Sequence, residues 1–188
     1  MLADENNVID TARLRLRAPH AGDDEALFPL FARWEVIRWL SSPPWPYRRE
    51  DMQRYIDQQA EAAPAAETRF VICLEGAPIG VIGVRMRPAS PVQRQAGPNI
   101  GYWLGQDYWG RGYMSEALHG IAGHVFAATA HEAIYSGAFV GNAASLRVQE
   151  KVGFLPDGEA MLFANPHGKE MPHLNTVLTR ARFAAAAA

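Results

Sequence analysis

The spacing of apolar residues changes several times along this 188-residue chain, and each change marks an element. From Thr11 to Arg17 apolar and basic residues alternate, the two-residue period of a strand with one wet face. Asp23, Asp24 and Glu25 then crowd a helix start, and Leu27, Leu30, Phe31 and Trp34 supply its apolar stripe. Ser41 to Pro46 breaks the chain. Met52, Tyr55, Ile56 and Gln59 mark a second helix, from about Arg49 to Ala62–Pro64. Thr68–Leu74 and Ile79–Arg87 read as a hairpin about a turn at Glu75–Pro78, with Gly83 weakening the second strand or marking a bulge.

The longest ordered pattern runs from Asn99 to Ala130. Ile100, Tyr102 and Leu104 alternate with Gly101 and Trp103 as in a buried strand. A turn carrying Gly110 and Gly112 follows. Beyond it Met114, Leu118, Ile121 and Val125 share one helical face, with Ala117 and Ala122 beside them. Ala133–Val140 is the next strand. Asn142 then caps a helix that runs to Val152 and is closed by Gly153. Leu155 onward is a last hairpin, Ala160–Ala164 against His173–Thr179.

A hairpin ahead of the glycine turn argues for an antiparallel start to the sheet and against a doubly wound fold. No repeat or boundary divides the chain, so residues 1–188 read as one domain, with 1–10 and 184–188 loose. Hydrophobic residues make up 48% and charged residues 20%, as in a globular protein. The net charge of −2 gives no reason to expect a nucleic-acid partner. No leader and no 18-residue apolar run is present, which predicts a cytoplasmic protein without a membrane partner. The single cysteine, Cys73, lies in an apolar run and reads as a buried thiol. No Cys/His cluster suggests a metal.

A strand, a Gly-x-Gly turn and a helix leave several amides unpaired and pointing one way, which suits a phosphate. Two phosphate motifs fit poorly. No Gly-Lys-Ser/Thr follows, as a P-loop requires, and Ser115 stands where a dinucleotide fingerprint has its third glycine or an alanine.

The stretch resembles the coenzyme A loop of the GNAT superfamily of N-acetyltransferases, with Gly110 and Gly112 matching its two glycines. The run Trp109-Gly110-Arg111-Gly112-Tyr113, with Glu116-Ala117 after it, is similar to the ribosomal-protein (RimJ/RimL) branch. Asn142, Ser145, Glu150, Lys151, Gly153 and Phe154 match the family's last motif. Asp107 departs, standing where the family has Arg or Gln, and is expected to face solvent.

The resemblance implies an α/β fold with a central, mostly antiparallel mixed sheet. About seven strands and about four helices are expected, with a splay between the fourth and fifth strands. It implies transfer of acetyl from acetyl-CoA to a primary amine. The partners are then coenzyme A and an acceptor, either a peptide N-terminus or a small amine, and a homodimer stays open. Main-chain groups at Trp103, Leu104 and Gly105 would hold the pantetheine, and Gly110, Arg111, Gly112, Tyr113 and Met114 the pyrophosphate. Asn142 would contact the pantetheine arm, and Trp45 and Tyr47 would wall the acceptor site or simply pack.

The chemistry needs a base for the amine, donors for the thioester oxygen and an acid near the sulfur. The family's acidic tyrosine position holds Gln149, and Ser145, one turn earlier on the same face, is the candidate at the sulfur. Asn99 replaces the branch's glutamate, which leaves Glu67, Glu170 and His173 as possible bases. His119 and His124 are expected to be structural or solvated. These departures keep a second function in view, a non-catalytic acyl-CoA-binding sensor.

Overall fold

The computed structural model describes residues 8–54, 67–90 and 92–186. Among these, the strands are β1 (Ile9–Asp10), β2 (Leu14–Arg17), β3 (Glu67–Leu74), β4 (Ala77–Arg87), β5 (Gly97–Leu104), β6 (Ala133–Phe139), β7 (Leu155–Ala164) and β8 (Lys169–Thr179). The helices are α1 (Asp23–Phe31), α2 (Trp34–Ile37), α3 (described over 49–54), α4 (Tyr113–Ala128), α5 (Ala143–Val152) and α6 (Arg180–Ala186). Tyr55, Ile56 and Gln59 of the expected second helix lie outside the described residues.

All eight strands form one sheet in the order β1-β2-β3-β4-β5-β6-β8-β7. Neighbours are antiparallel except β5 and β6, which are parallel and meet at a single pair, Asn99 with Tyr135. That gap is the expected splay, one place later in the strand count because Ile9–Asp10 adds a strand to the seven expected. Along it β5 loses its neighbour on one side.

Alternation sorts the side chains of the sheet onto two faces. Leu16, Phe70, Ile72, Ile82, Val84, Ile100 and Leu104 pack beneath α4 and α5, against Leu118, Ile121, Val125 and Val152. Val71, Cys73, Val81 and Trp103 pack on the other face, beneath Leu27, Phe31, Val36 and Ile37 of α1 and α2. The one thiol is buried there, and burial raises its pKa.

Several elements differ from the sequence expectation. Thr11 is in a turn, its hydroxyl and amide both tied to Leu14, so β2 starts three residues late. Ile9 and Asp10, expected to be loose, pair with Leu16 and Arg15. The first helix stops at Phe31, and Trp34 opens α2. The β3–β4 turn is two residues, Glu75 at φ 51° and Gly76 at φ 85°, the left-handed pair that matches strand twist. The register shift of that hairpin falls at Ile72/Cys73, not at Gly83. Residues 184–186, expected to be frayed, end α6, whose Phe183 packs on Phe126. The basic residues of β2 and its lead-in are all neutralised: Arg13 by Glu116, Arg15 by Asp10 and Arg17 by Asp23. No helix among the described residues is long and apolar enough to cross a membrane.

Candidate active site

A cleft of about 380 Å³ passes through the β5–β6 gap and reaches both faces of the sheet. Which backbone groups border it follows from strand alternation. The Ile100 carbonyl accepts from Ser136 Oγ of β6 at 2.9 Å, while the Gly105 amide donates back to Ile79 O of β4 at 2.9 Å. With a two-residue period, Ile100, Tyr102 and Leu104 turn their main-chain groups to the gap, and Gly101, Trp103 and Gly105 turn theirs to β4. Trp103 and Gly105 are therefore corrected as main-chain cofactor contacts. The Trp103 ring packs on Phe31, and a Cβ at Gly105 would meet Leu30. Leu104 does border the cleft, and its carbonyl already accepts from the Trp109 indole at 2.7 Å.

At one end of the cleft stands the start of α4. Gly110 at φ 75° and Gly112 at φ 81° hold the turn in a backbone that side-chain-bearing residues rarely adopt. The first α4 amide to meet a carbonyl is that of Glu116, bonded to Gly112 O, so the amides of the opening turn face outward. Gly110, Gly112, Tyr113 and Met114 line the cleft, and Arg111 does not. The carbonyl of Arg111 accepts from Arg13, whose guanidinium also lies 4.6 Å over the Tyr113 ring. Arg13 and the Thr11 hydroxyl converge on Glu116. Burial acts to raise the Glu116 pKa, but these donors outweigh it and hold the carboxylate below its usual range. Asp107 faces solvent as expected, 61% exposed and paired with Arg33 at 3.1 Å.

Helix α5 forms the next wall. Asn142 Oδ1 caps it by accepting from the Ser145 amide at 3.2 Å. Arg147 and Lys151 reach the cleft one turn apart, and among the described residues neither has an ion pair. Their spacing of four was the signal for them in the sequence. Ser145 Oγ lies 2.9 Å from the Tyr102 hydroxyl, and Gln149 Nε2 donates to both, at 3.2 and 3.1 Å. Gln149 is fixed in turn by Thr176 Oγ1, which donates to its Oε1 at 2.7 Å. Gln149 thus organises a hydroxyl pair rather than supplying an acid. Burial pushes the Tyr102 pKa up, and its bonds to Ser145 and Gln149 offset this only in part, so the phenol stays protonated. Sequence reading missed Tyr102, because the pair spans 43 residues and joins a strand to a distant helix.

On the opposite face the cleft meets His173. Its Nδ1 lies 2.8 Å from Asn175 Oδ1, an acceptor, which places the proton on Nδ1 and leaves Nε2 with a free lone pair. The ring sits over Gly137, where a Cβ would collide with His173 Cε1 and the Leu174 carbonyl. Burial lowers the His173 pKa, the Asn175 bond raises it less, and the nearby Arg87 lowers it further, so the ring is neutral at pH 7. The other candidate bases do not reach the cleft. Glu67 binds Arg69 and Arg85, and Glu170 sits on the exposed β7–β8 hairpin. Asn99 lines the cleft but spends its amide on Gln93 Oε1. Trp45 and Tyr47 do not line it either. Trp45 packs on Trp34 and Tyr47 on Phe31, while Trp39, Leu40 and Ser41 form that wall. His119 and His124 pack on Phe183 and Phe70.

A family model described as the acetyltransferase (GNAT) domain matches residues 13–155. The chain belongs to the GNAT family. It is 30% identical over 157 residues to the uncharacterized N-acetyltransferase YoaA of Bacillus subtilis, covering 80% of this chain and 84% of that protein. Two solved structures share the fold. The ribosomal-protein-S5-alanine acetyltransferase of Vibrio fischeri superposes with a TM-score of 0.75 at 20% identity, covering 95% of this chain and 99% of that one. The spermidine N-acetyltransferase of Vibrio cholerae, in complex with CoA and spermine, gives 0.73 at 18%, covering 92% and 99%.

GNAT enzymes draw their acetyl group from acetyl-CoA, and this cleft has the chemistry for that cosubstrate. The outward amides of α4 and the side chains of Arg147 and Lys151 suit phosphates. The open edge of β5 at Tyr102 and Leu104 suits the amides of a pantetheine arm. The GNAT chain is an acetyl-CoA-dependent acyltransferase.

Proposed function

We propose that this acetyltransferase acts on the α-amine of a protein or peptide N-terminus. The observation behind this reading is the division of labour across the gap. A neutral imidazole stands on the side of α1 and α2, and a protonated hydroxyl pair stands on the side of α5. The likeness to the S5-alanine acetyltransferase supports a protein acceptor.

Acetyl-CoA supplies the acyl carbon and the thiol leaving group. Gly110, Gly112, Tyr113 and Met114 would bind its pyrophosphate through amides, with Asn142 and the Leu104 amide along the arm. Arg111, exposed outside the cleft with its carbonyl accepting from Arg13, has no part in this reading. His173 Nε2 accepts the proton that the amine gives up as its nitrogen bonds to the acyl carbon. Asn175 keeps the imidazole in the required tautomer. As the carbon–sulfur bond breaks, the Ser145 hydroxyl donates to the sulfur, with Tyr102 and Gln149 holding its orientation. A thiolate leaves readily near neutral pH, so a hydrogen bond there is enough help.

The test is thiol release from acetyl-CoA with N-terminal peptides, a polyamine and an aminoglycoside as acceptors. Peptides should be turned over fastest. His173→Ala should lower kcat about 100-fold or more while keeping the thermal shift given by coenzyme A. Binding without turnover across the whole panel would favour the acyl-CoA sensor instead.

A further inference from the structure

We infer that the acceptor carries a carboxylate near its amine, and that Arg87 binds it. The inference rests on the acetyltransferase reading and narrows its substrate class. Arg87 closes β4 and lines the cleft on the face that His173 occupies. Three arginines stand close together at this corner of the sheet. Arg69 and Arg85 share Glu67, at 2.7 Å each, which uses both carboxylate oxygens. Arg87 has no hydrogen bond or ion pair among the described residues, yet it is half-buried.

A guanidinium taken partly out of water without an anion is unfavourable, and the direction of the Arg87 pKa records this. Burial lowers it first and the charge of Arg85 lowers it further, against a smaller opposing pull from Glu67, whose two carboxylate oxygens are held by Arg69 and Arg85. The cleft offers no relief. Its described lining includes Arg87, Arg147 and Lys151 and not one Asp or Glu. Arg147 and Lys151 lie on α5 at the cofactor end, whereas Arg87 acts electrostatically on His173. A polyamine would meet that uncompensated charge where its amine must be delivered. A carboxylate would be drawn to it, and the planar fork of arginine donates to both carboxylate oxygens. Docked there, the carboxylate would also screen His173 from the like charge, making the imidazole a better base while the acceptor is bound.

Two sources could supply this group: an acidic side chain beside a peptide N-terminus, or the α-carboxylate of a free amino acid. The experiment compares kcat/KM for C-terminally amidated peptides that differ only in Glu, Gln or Lys at the second position, with free glutamate and spermidine as further arms. In the wild type the Glu peptide or the free amino acid should exceed the Gln peptide by about 10- to 100-fold, the usual worth of a charge-assisted hydrogen bond. Arg87→Gln should collapse that preference, and Arg87→Lys should retain part of it. A wild type in which neither the Glu peptide nor free glutamate exceeds the Gln peptide, or a preference that survives in Arg87→Gln, overturns the inference. Calorimetric binding of the same peptides to the protein saturated with coenzyme A gives a readout independent of turnover. If no acceptor reacts, the acetyltransferase reading fails. Equal affinities for the Glu peptide, the Gln peptide and free glutamate would then separately defeat the role of Arg87.

Discussion

Replacing Gln149 by leucine should damage the fold and the chemistry together, and the structure sets the size of the effect. The side chain is 1% exposed and makes four hydrogen bonds, to Tyr102, Ser145, Gly137 and Thr176. Leucine fills a similar volume, so packing changes little. Thr176, 5% exposed, loses its acceptor, and the Gly137 carbonyl loses a donor. Each stranded buried group costs about 1–3 kcal/mol. Gly137 borders the cleft, where water can replace the lost bond, so most of the cost falls on Thr176. A net loss of about 2 kcal/mol is expected, which for a chain of this size lowers Tm by about 4–8 °C. Thermal and urea denaturation measure it. The cause is isolated by a second substitution, Thr176→Val, which removes the stranded hydroxyl. Because deleting both partners is far milder than deleting one, the double variant should recover at least about 1 kcal/mol over Gln149→Leu alone. Additive losses, or a Gln149→Leu protein as stable as the wild type, would refute the network.

Three further outcomes are expected. Gly112→Val should abolish the coenzyme A thermal shift, otherwise about 2.7 kcal/mol at 100 times Kd, because valine is strained at φ 81°; a full shift would remove the turn from the cofactor site. Ser145→Ala should lower kcat roughly 10-fold with a smaller change in the acetyl-CoA KM, measured at saturating acceptor, and wild-type kcat would clear Ser145 of any part in the chemistry. Asp23→Asn should cost about 2 kcal/mol at pH 7. Burial raises the Asp23 pKa, but Arg17 and the His20 amide more than compensate and hold it low. That stability is present above the ordinary carboxylate pKa and is lost as pH falls through the lower native value, so denaturation curves of wild type and variant should converge in strong acid. A gap that is constant with pH would refute the assignment.

The residues read most reliably from sequence act through local backbone. Gly110, Gly112 and the α4 stripe are set by φ and by a 3.6-residue period, both properties of a few neighbours along the chain. Asn142 capping α5 and Gly153 ending it belong to the same class. Errors of boundary came where a side chain from elsewhere intervened. Thr11 turns aside because Glu116, 105 residues away, takes its hydroxyl.

The sequence by itself determined the order of elements, the hairpin start of the sheet and the glycine turn that opens α4, since periodicity, caps and glycines encode these over short spans. Only the tertiary structure decided which groups face the reaction. The two-residue alternation of β5 separates Leu104 from Trp103 and Gly105, but which set faces the gap depends on which neighbour β5 keeps. Tyr102 joins Ser145 only because β5 and α5 pack together, and His173 rather than Glu67 reaches the cleft because Glu67 is held by two arginines. Such choices rest on contacts between residues far apart in the chain, whose geometry no local pattern contains.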